Sequence, residues 1–486
     1  MDDKAALKSV ISPGEYAFTV HVPSSGGDKV SAYGLVDLQA GRQPTAQIQS
    51  ESILVEHENS GGAISGSFPQ RKDFDVLEGR LFNGMAILFI EARLTYWDFS
   101  TARIDCRAAM VGASTSSVQN SFSMVELQIT GMDSVFGANP IKETTYPVGD
   151  SEERFSMVVN EESSQEWSDE EFRVLCSYDS SAKIADPYAF RVSFSPVCRV
   201  YSVSPLTFSE WFDSWVEPLI HVTSLVTGVS ESLAYVALGR DRKVTPFFPE
   251  GFPRHEKFQV FGTGVLQAPY SSSANKIRLM KPAVGLKEDD VSLLGMIREW
   301  QEMESCDHPL IEIYGTSLGF SSQHPRAHFL MLIQALEGYH GYENREKEEE
   351  EEEKYKAKKK EFFGLMKDKI SPSEMRFLRK YLKGSNADSL ETRLIDLLAG
   401  LPLDMTQRIA KMKIIQSVLE GAENQGPLWA VARIRNDLAH GNRGYKDSDL
   451  AQLSHMLERV VRAYMMKCLE LGEEFQARML RDDLYF

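Results

Sequence analysis

No C-x-x-C pair occurs anywhere in the 486 residues, and the five cysteines (Cys106, Cys176, Cys198, Cys306, Cys468) are odd in number and widely scattered. That spacing excludes a cysteine-built zinc site and a disulfide framework, and it fits reduced thiols in a cytoplasm. No run of about 18 apolar residues is present, so no transmembrane helix is expected. The N-terminus, MDDKAALKSV, is acidic and lacks the apolar stretch of a secretory signal. No phosphate-cradling glycine-rich loop appears, and no internal repeat. Positive charge is in short supply too, the net charge being −17.

That deficit is local. Residues 322–486 carry 27 Lys and Arg against 27 Asp and Glu, which leaves 26 basic and 43 acidic residues in 1–321. The N-terminal two-thirds is therefore a poor platform for a phosphate backbone, whereas the neutral last third can host a basic cleft. At 42% apolar and 25% charged, the chain has an ordinary globular composition, and its length predicts two or three domains.

The elements read as α+β. From about 10 to 205 the pattern is strand-like, as in Glu15–Val22, Lys29–Asp37, Met85–Thr95, Ser123–Ile129, Arg154–Asn160, Phe172–Tyr178 and Phe190–Ser195. A mainly antiparallel β domain is expected over 1–205. Thr207 and Glu210 then have capping-box spacing, and Phe208, Trp211, Phe212, Trp215, Leu219, Val222 and Val226 follow the helical period as far as Gly228. Strands at Leu233–Leu238 and Lys257–Leu266 and a helix at Val291–Met303 make 206–321 a mixed connecting region. From 322 to 486 everything reads as helix. Glu343–Glu361 is nearly all Glu and Lys and predicts a solvated arm. Further helices are expected at about 373–383, 388–399, 404–421 and 449–474.

One helix in this last region carries chemistry. Pro427 opens it and Gly441 closes it. At 100° per residue Leu428, Val431, Ile434 and Leu438 form a core stripe. Arg435, Asn436 and His440 fall elsewhere, among Ala432 and Ala439, on a face that another helix can approach closely. The spacing R-N-x-x-x-H resembles the active-site signature of the HEPN nucleases, an arginine followed at once by a polar residue and, four to six residues on, by a histidine. Phe329-Leu330-Met331-Leu332-Ile333-Gln334-Ala335-Leu336-Glu337-Gly338-Tyr339-His340 resembles the first HEPN helix of ApeA-type proteins. Leu206-Thr207-Phe208-Ser209-Glu210-Trp211-Phe212-Asp213-Ser214-Trp215-Val216-Glu217-Pro218-Leu219 resembles a segment of their N-terminal domain.

The resemblance implies an anti-phage HEPN ribonuclease acting by abortive infection: a C-terminal all-α HEPN bundle restrained by a sensor domain. By matching position Arg435, Asn436 and His440 take the catalytic roles. Glu337 and His340 are assigned none. The implied site lies across a homodimer axis or within a higher even oligomer, and needs no metal or other cofactor. The expected partners are RNA (tRNA or another structured RNA) and a phage-derived trigger, a protein, with no membrane. A non-catalytic HEPN-like scaffold remains the alternative.

Two other motifs compete. Gly315-Thr316-Ser317-Leu318-Gly319 fits G-x-S-x-G behind the apolar run Leu310–Tyr314, and an esterase would set Ser317 on a strand-to-helix elbow. His324 and His328 have a zinc-compatible spacing without an evident third ligand, and Pro325 makes His324 a helix cap instead.

Overall fold

The computed structural model describes residues 5–23, 29–49, 58–60, 63–65, 68–98, 100–113, 119–149, 154–186, 189–241, 255–271, 282–318, 324–367, 369–382, 388–422 and 424–481. By contacts the chain divides into two units, Met1–Arg298 and Glu299–Tyr485.

Burial alternates along the first strand of the first unit. In β1 (Gly14–Pro23) Phe18, Val20 and Val22 are buried, while the residues between them turn outward. β2 (Lys29–Leu38) and β3 (Thr45–Gln49) continue the meander. A small hairpin, β4 (Glu58–Ser60) with β5 (Ala63–Ser65), stands outside the main sheet. Then come β6 (Gln70–Leu81), β7 (Ala86–Tyr96), β8 (Thr101–Asp105), β9 (Ala108–Gly112) and β10 (Phe122–Ile129). The short helix α1 (Met132–Val135) precedes a second small pair, β11 (Ile141–Thr145) with β12 (Ser156–Val159). β13 (Gln165–Ser168), β14 (Phe172–Asp186), β15 (Ala189–Leu206), β16 (Leu233–Asp241) and β17 (His255–Gly262) complete the set.

The main sheet runs β13-β14-β15-β10-β16-β17-β9-β7-β6-β1-β2-β3-β8, and its strand pairs are antiparallel. β8 also pairs with β7, so β7-β6-β1-β2-β3-β8 closes into a barrel. Closure buries Phe18, Val36, Ile48, Leu77, Phe89, Leu94 and Ile104 in one apolar interior. β7 serves two neighbours on the same side. Ala86–Ile90 pairs with β9, Arg93–Tyr96 pairs with β8, and between them Glu91 takes φ 49°.

A helical layer covers the open part of the sheet. Thr207 and Glu210 form the expected capping box and start α2 (Phe208–Trp211). A π-helical turn, Phe212–Val216, leads into α3 (Glu217–Thr227), which stops at Gly228 with φ 74°. Trp211 and Trp215 are fully buried core residues, and the Trp211 indole donates to the Phe122 carbonyl at 2.9 Å. On β10 the buried Glu126 carboxylate accepts from Arg199 Nε and Lys257 Nζ, both at 2.7 Å. Burial works to raise its pKa, but those two cations win and hold it below the ordinary value.

The second unit is helical. α4 (Leu293–Ser305) contains the boundary, and α5 (Pro309–Leu318), α6 (Pro325–Glu343), α7 (Arg345–Met366), α8 (Pro372–Tyr381) and α9 (Leu390–Ala399) follow. The single helix expected over 404–421 is two, α10 (Met405–Ala410) and α11 (Lys413–Leu419), because Met412 leaves the helical region at ψ 137°. α12 (Pro427–His440), α13 (Asp447–Cys468) and α14 (Glu473–Leu480) finish the chain. α13 stops short of the expected 474, since Glu470 adopts φ 58°. The N-cap of α6 is His324, whose ring accepts from the Arg326 amide at 3.2 Å.

The barrel's tightest approach is at Gly34, where a Cβ would fall 2.0 Å from the Gln47 carbonyl oxygen of the paired strand. Gly34→Ala should therefore cost about 1–3 kcal/mol by forcing the backbones apart. Thermal unfolding followed by circular dichroism measures this, and an unchanged midpoint would contradict the close approach.

Candidate active site

α12 is built as the chain predicts. Pro427 sits in its first turn, and Leu428, Val431, Ile434 and Leu438 are buried. α6, α9 and α11 pack around it. Its C-terminus is closed by Gly441 at φ 70°, with the Asn442 amide donating back to the Asp437 carbonyl at 2.9 Å. The Arg326 guanidinium, from the first turn of α6, donates to the Leu438 carbonyl and so ties down the end of the helix.

Arg435 lies at the flank of the core stripe, one heptad from Leu428, and is half-buried with 35% of its side chain exposed. It reaches α6 and makes an ion pair with Glu337 Oε2 at 3.1 Å. Its other terminal nitrogen donates to Asn436 Oδ1 at 3.1 Å. Asn436 and His440 are exposed. Among the described residues no hydrogen bond joins His440 to Arg435 or Asn436. One chain thus brings Arg435 and Asn436 together and leaves the imidazole to solvent at the helix end.

Asp437, between them in sequence, is the residue that pattern reading passed over. It is 3% exposed, accepts from the Tyr445 hydroxyl at 2.9 Å and lies 3.4 Å from Arg433 Nε. The helical wheel carried the signal, since Asp437 falls beside the Ala430–Ile434 edge of the stripe. Burial, together with the hydrogen bond to Asp437, pushes the Tyr445 phenol up to about 12. Arg443 lies over the Tyr445 ring at 5.0 Å, while Arg433 and Arg435 of α12 are paired with Asp437 and Glu337.

The remaining candidates fall out of the chemistry. Ser317 sits inside α5, and Leu310–Tyr314 is helical rather than a strand, so the hydrolase elbow is not formed; Gly319 lies outside the described residues. His324 is a cap, and burial lowers the pKa of His328. Among the described residues no three His, Cys, Asp or Glu side chains come together as a metal site. His340 is buried with its Nδ1 3.5 Å from Glu348 and its Nε2 3.5 Å from Asp396, so it joins α6 to α7 and α9. In the first unit a cleft of about 880 Å³ is lined by Asp73, Asp75, Glu91, Asp105 and Glu217 beside Arg107. Burial first, then the neighbouring Asp213, raises the Glu217 carboxyl. No described helix is long and apolar enough to cross a membrane, and all five cysteines are free.

The second unit is a helical bundle whose α12 carries Arg-Asn-x-x-x-His, with Arg435 paired to Glu337 of α6. Residues 330–475 match the family model described as Apea-like HEPN. The chain thus carries an Apea-like HEPN domain behind an antiparallel β unit, an arrangement consistent with an ApeA-type HEPN protein. No curated protein and no solved structure matches the chain.

Tyr445→Phe removes the hydroxyl donor from the buried Asp437 carboxylate and should cost about 1–3 kcal/mol at neutral pH. The sign of the pH effect is fixed: a phenol raised in the folded state contributes stability in full below its ordinary value of 10.0, and that contribution is lost as pH rises through about 12. The gap between wild type and Tyr445→Phe in denaturant midpoint should narrow over that window. A gap that widens there would refute the Asp437–Tyr445 bond.

Proposed function

We propose that this protein is a metal-independent endoribonuclease of anti-phage defence, with Arg435, Asn436 and His440 as its working groups. The observation that carries the reading is that one helix, its core stripe buried, holds a half-buried guanidinium at the flank of that stripe and an exposed imidazole at its C-terminal end. His440 takes the proton from a ribose 2′-hydroxyl as its oxygen attacks the adjacent phosphorus. The P–O5′ bond breaks, a second histidine gives the leaving oxygen its proton, and the products are a 2′,3′-cyclic phosphate and a 5′-hydroxyl. Arg435 holds the phosphate and the charge that builds on it through its planar fork, exchanging Glu337 for the ligand. Asn436 orients the RNA or the ring.

Since Arg435 and His440 do not touch within one chain, the reading sets two copies of α12 across a two-fold axis. Two arginines and two histidines then line one cleft, giving a neutral domain a local excess of positive charge. The acidic β unit is the sensing and restraining part, answering a phage-derived protein, and the substrate is tRNA or another structured RNA in the cytoplasm. The Arg435–Glu337 pair favours one competing reading, a non-catalytic dimerising module, because it already neutralises the cation.

His440→Ala should lower RNA cleavage by at least about 10²-fold, the typical contribution of a positioned acid or base, while the fold persists. Purified wild type and variant are incubated with total RNA in a chelator, and the ends are mapped. Undiminished cutting by the variant, or 3′-hydroxyl ends, would sink the nuclease reading. Expression toxicity that His440→Ala relieves separates an enzyme from a scaffold.

A further inference from the structure

Five free cysteines are scattered through the sequence, but the main sheet brings two of them together. β14 and β15 form one long antiparallel hairpin, and its register sets Cys176 opposite Cys198. Residues opposed in this way have Cα atoms about 4.5–5.5 Å apart. A disulfide spans roughly 4.4–6.8 Å between the same atoms, so the pair can join without moving the backbone. Both side chains are fully buried on the face that carries Val174, Val200 and Leu127, and their thiols are within hydrogen-bonding reach of each other. The other three cysteines have different neighbours. Cys106 donates to the Pro44 carbonyl at 3.6 Å. Cys306 accepts from the Tyr342 hydroxyl at 3.5 Å, and the Cys468 sulfur lies 4.0 Å from His308 Nε2. Of the five, only Cys176 and Cys198 face each other across a strand pair.

Access comes from the margin of the sheet. β13 pairs with Arg173–Cys176 of β14 and goes no further. Beyond Cys176, among the described residues, β14 is the outermost strand. Strand margins open locally at lower cost than a sheet interior, and such opening lets a small oxidant in. While the margin is closed, burial pushes the Cys176 thiol well up and keeps it protonated.

We propose that Cys176 and Cys198 form an oxidation site, joined by hydrogen peroxide into a cross-strand disulfide that a dithiol reductant reopens. Cys176, at the margin, reacts first. Its sulfur attacks one peroxide oxygen, the O–O bond breaks, and the departing hydroxide takes the thiol proton and leaves as water. The Cys198 sulfur then attacks the resulting sulfenic sulfur. The S–O bond breaks, the S–S bond forms, and the hydroxide leaves as water with the Cys198 proton. The two sulfurs lose two electrons and the peroxide gains them. The bond closes a loop through the hairpin and fixes the register of β15, the strand that runs straight into the capping box of α2. No residue of α12 takes part, so the site stands whether or not that helix cuts RNA.

Full-length protein is treated with hydrogen peroxide, unfolded, and alkylated at its remaining thiols, and the non-reduced digest is read by mass spectrometry. A peptide pair linking Cys176 to Cys198, lighter than its reduced parts by the two lost hydrogens, should appear, and dithiothreitol should remove it. The thermal midpoint of the oxidised protein should rise by at least about 3 °C, and fall back on reduction. Cys198→Ser should show neither the link nor the rise, with circular dichroism checking its fold. The mapping on wild type decides the matter by itself should that variant fail to fold. Cys176 and Cys198 both alkylated after oxidation, or either one linked to Cys306 or Cys468 instead, would overturn the proposal. A linked protein whose midpoint does not move would overturn the fixing of the hairpin.

Discussion

The ion pair between Arg435 and Glu337 governs what the helical unit can present. A guanidinium at the edge of a core stripe can fold inward or reach outward, and a carboxylate on the neighbouring helix decides between the two. With Glu337 in place the fork is aimed and its charge balanced. The end of the helix is then fixed from three sides, by Arg326 on a carbonyl, Gly441 in the left-handed turn and Tyr445 on the buried Asp437. His440 is exposed at that end, with Ala439, Asn442 and Arg443 beside it in sequence.

Charge is divided unevenly between the units. The first unit carries most of the acidic surplus, 38 acidic against 26 basic residues in 1–298, with carboxylates lining its cleft and one, Glu126, sealed within the sheet between Arg199 and Lys257. The second is nearer balance, with 27 basic against 32 acidic residues, and pairs the two arginines of α12 with Asp437 and Glu337. Net charge alone said little about the part of the molecule where the Apea-like HEPN match falls.

Much of the architecture was legible. Runs rich in Val, Phe, Tyr and Ile, bounded by turn residues, located β1, β2, β7 and β10 to within a residue or two, and capping-box spacing placed the start of α2 at Thr207. β6 was missed because QRKDFDVLEGRL is charged and half-exposed, so its period is faint. β3, β8 and β9 were missed because five residues are too few for a period to stand out. Barrel closure was beyond reach for another reason: β8 joining β7 is a long-range pairing that no local pattern encodes. At the candidate site the motif residues and the punctuation of α12 were readable. Asp437 was overlooked because an acid within an R-N-D run looks like surface. The Glu337 partnership was invisible because it joins two helices ninety-eight positions apart in the chain.

β7 is held by β9 through Ala86–Ile90 and by β8 through Arg93–Tyr96, with Glu91 bending the strand between them. A single backbone is thus a stave of the closed ring and the root of the open fan. Neither part can come undone without dragging at that shared stave, so the β unit melts as one body and a tug on the fan is felt inside the ring.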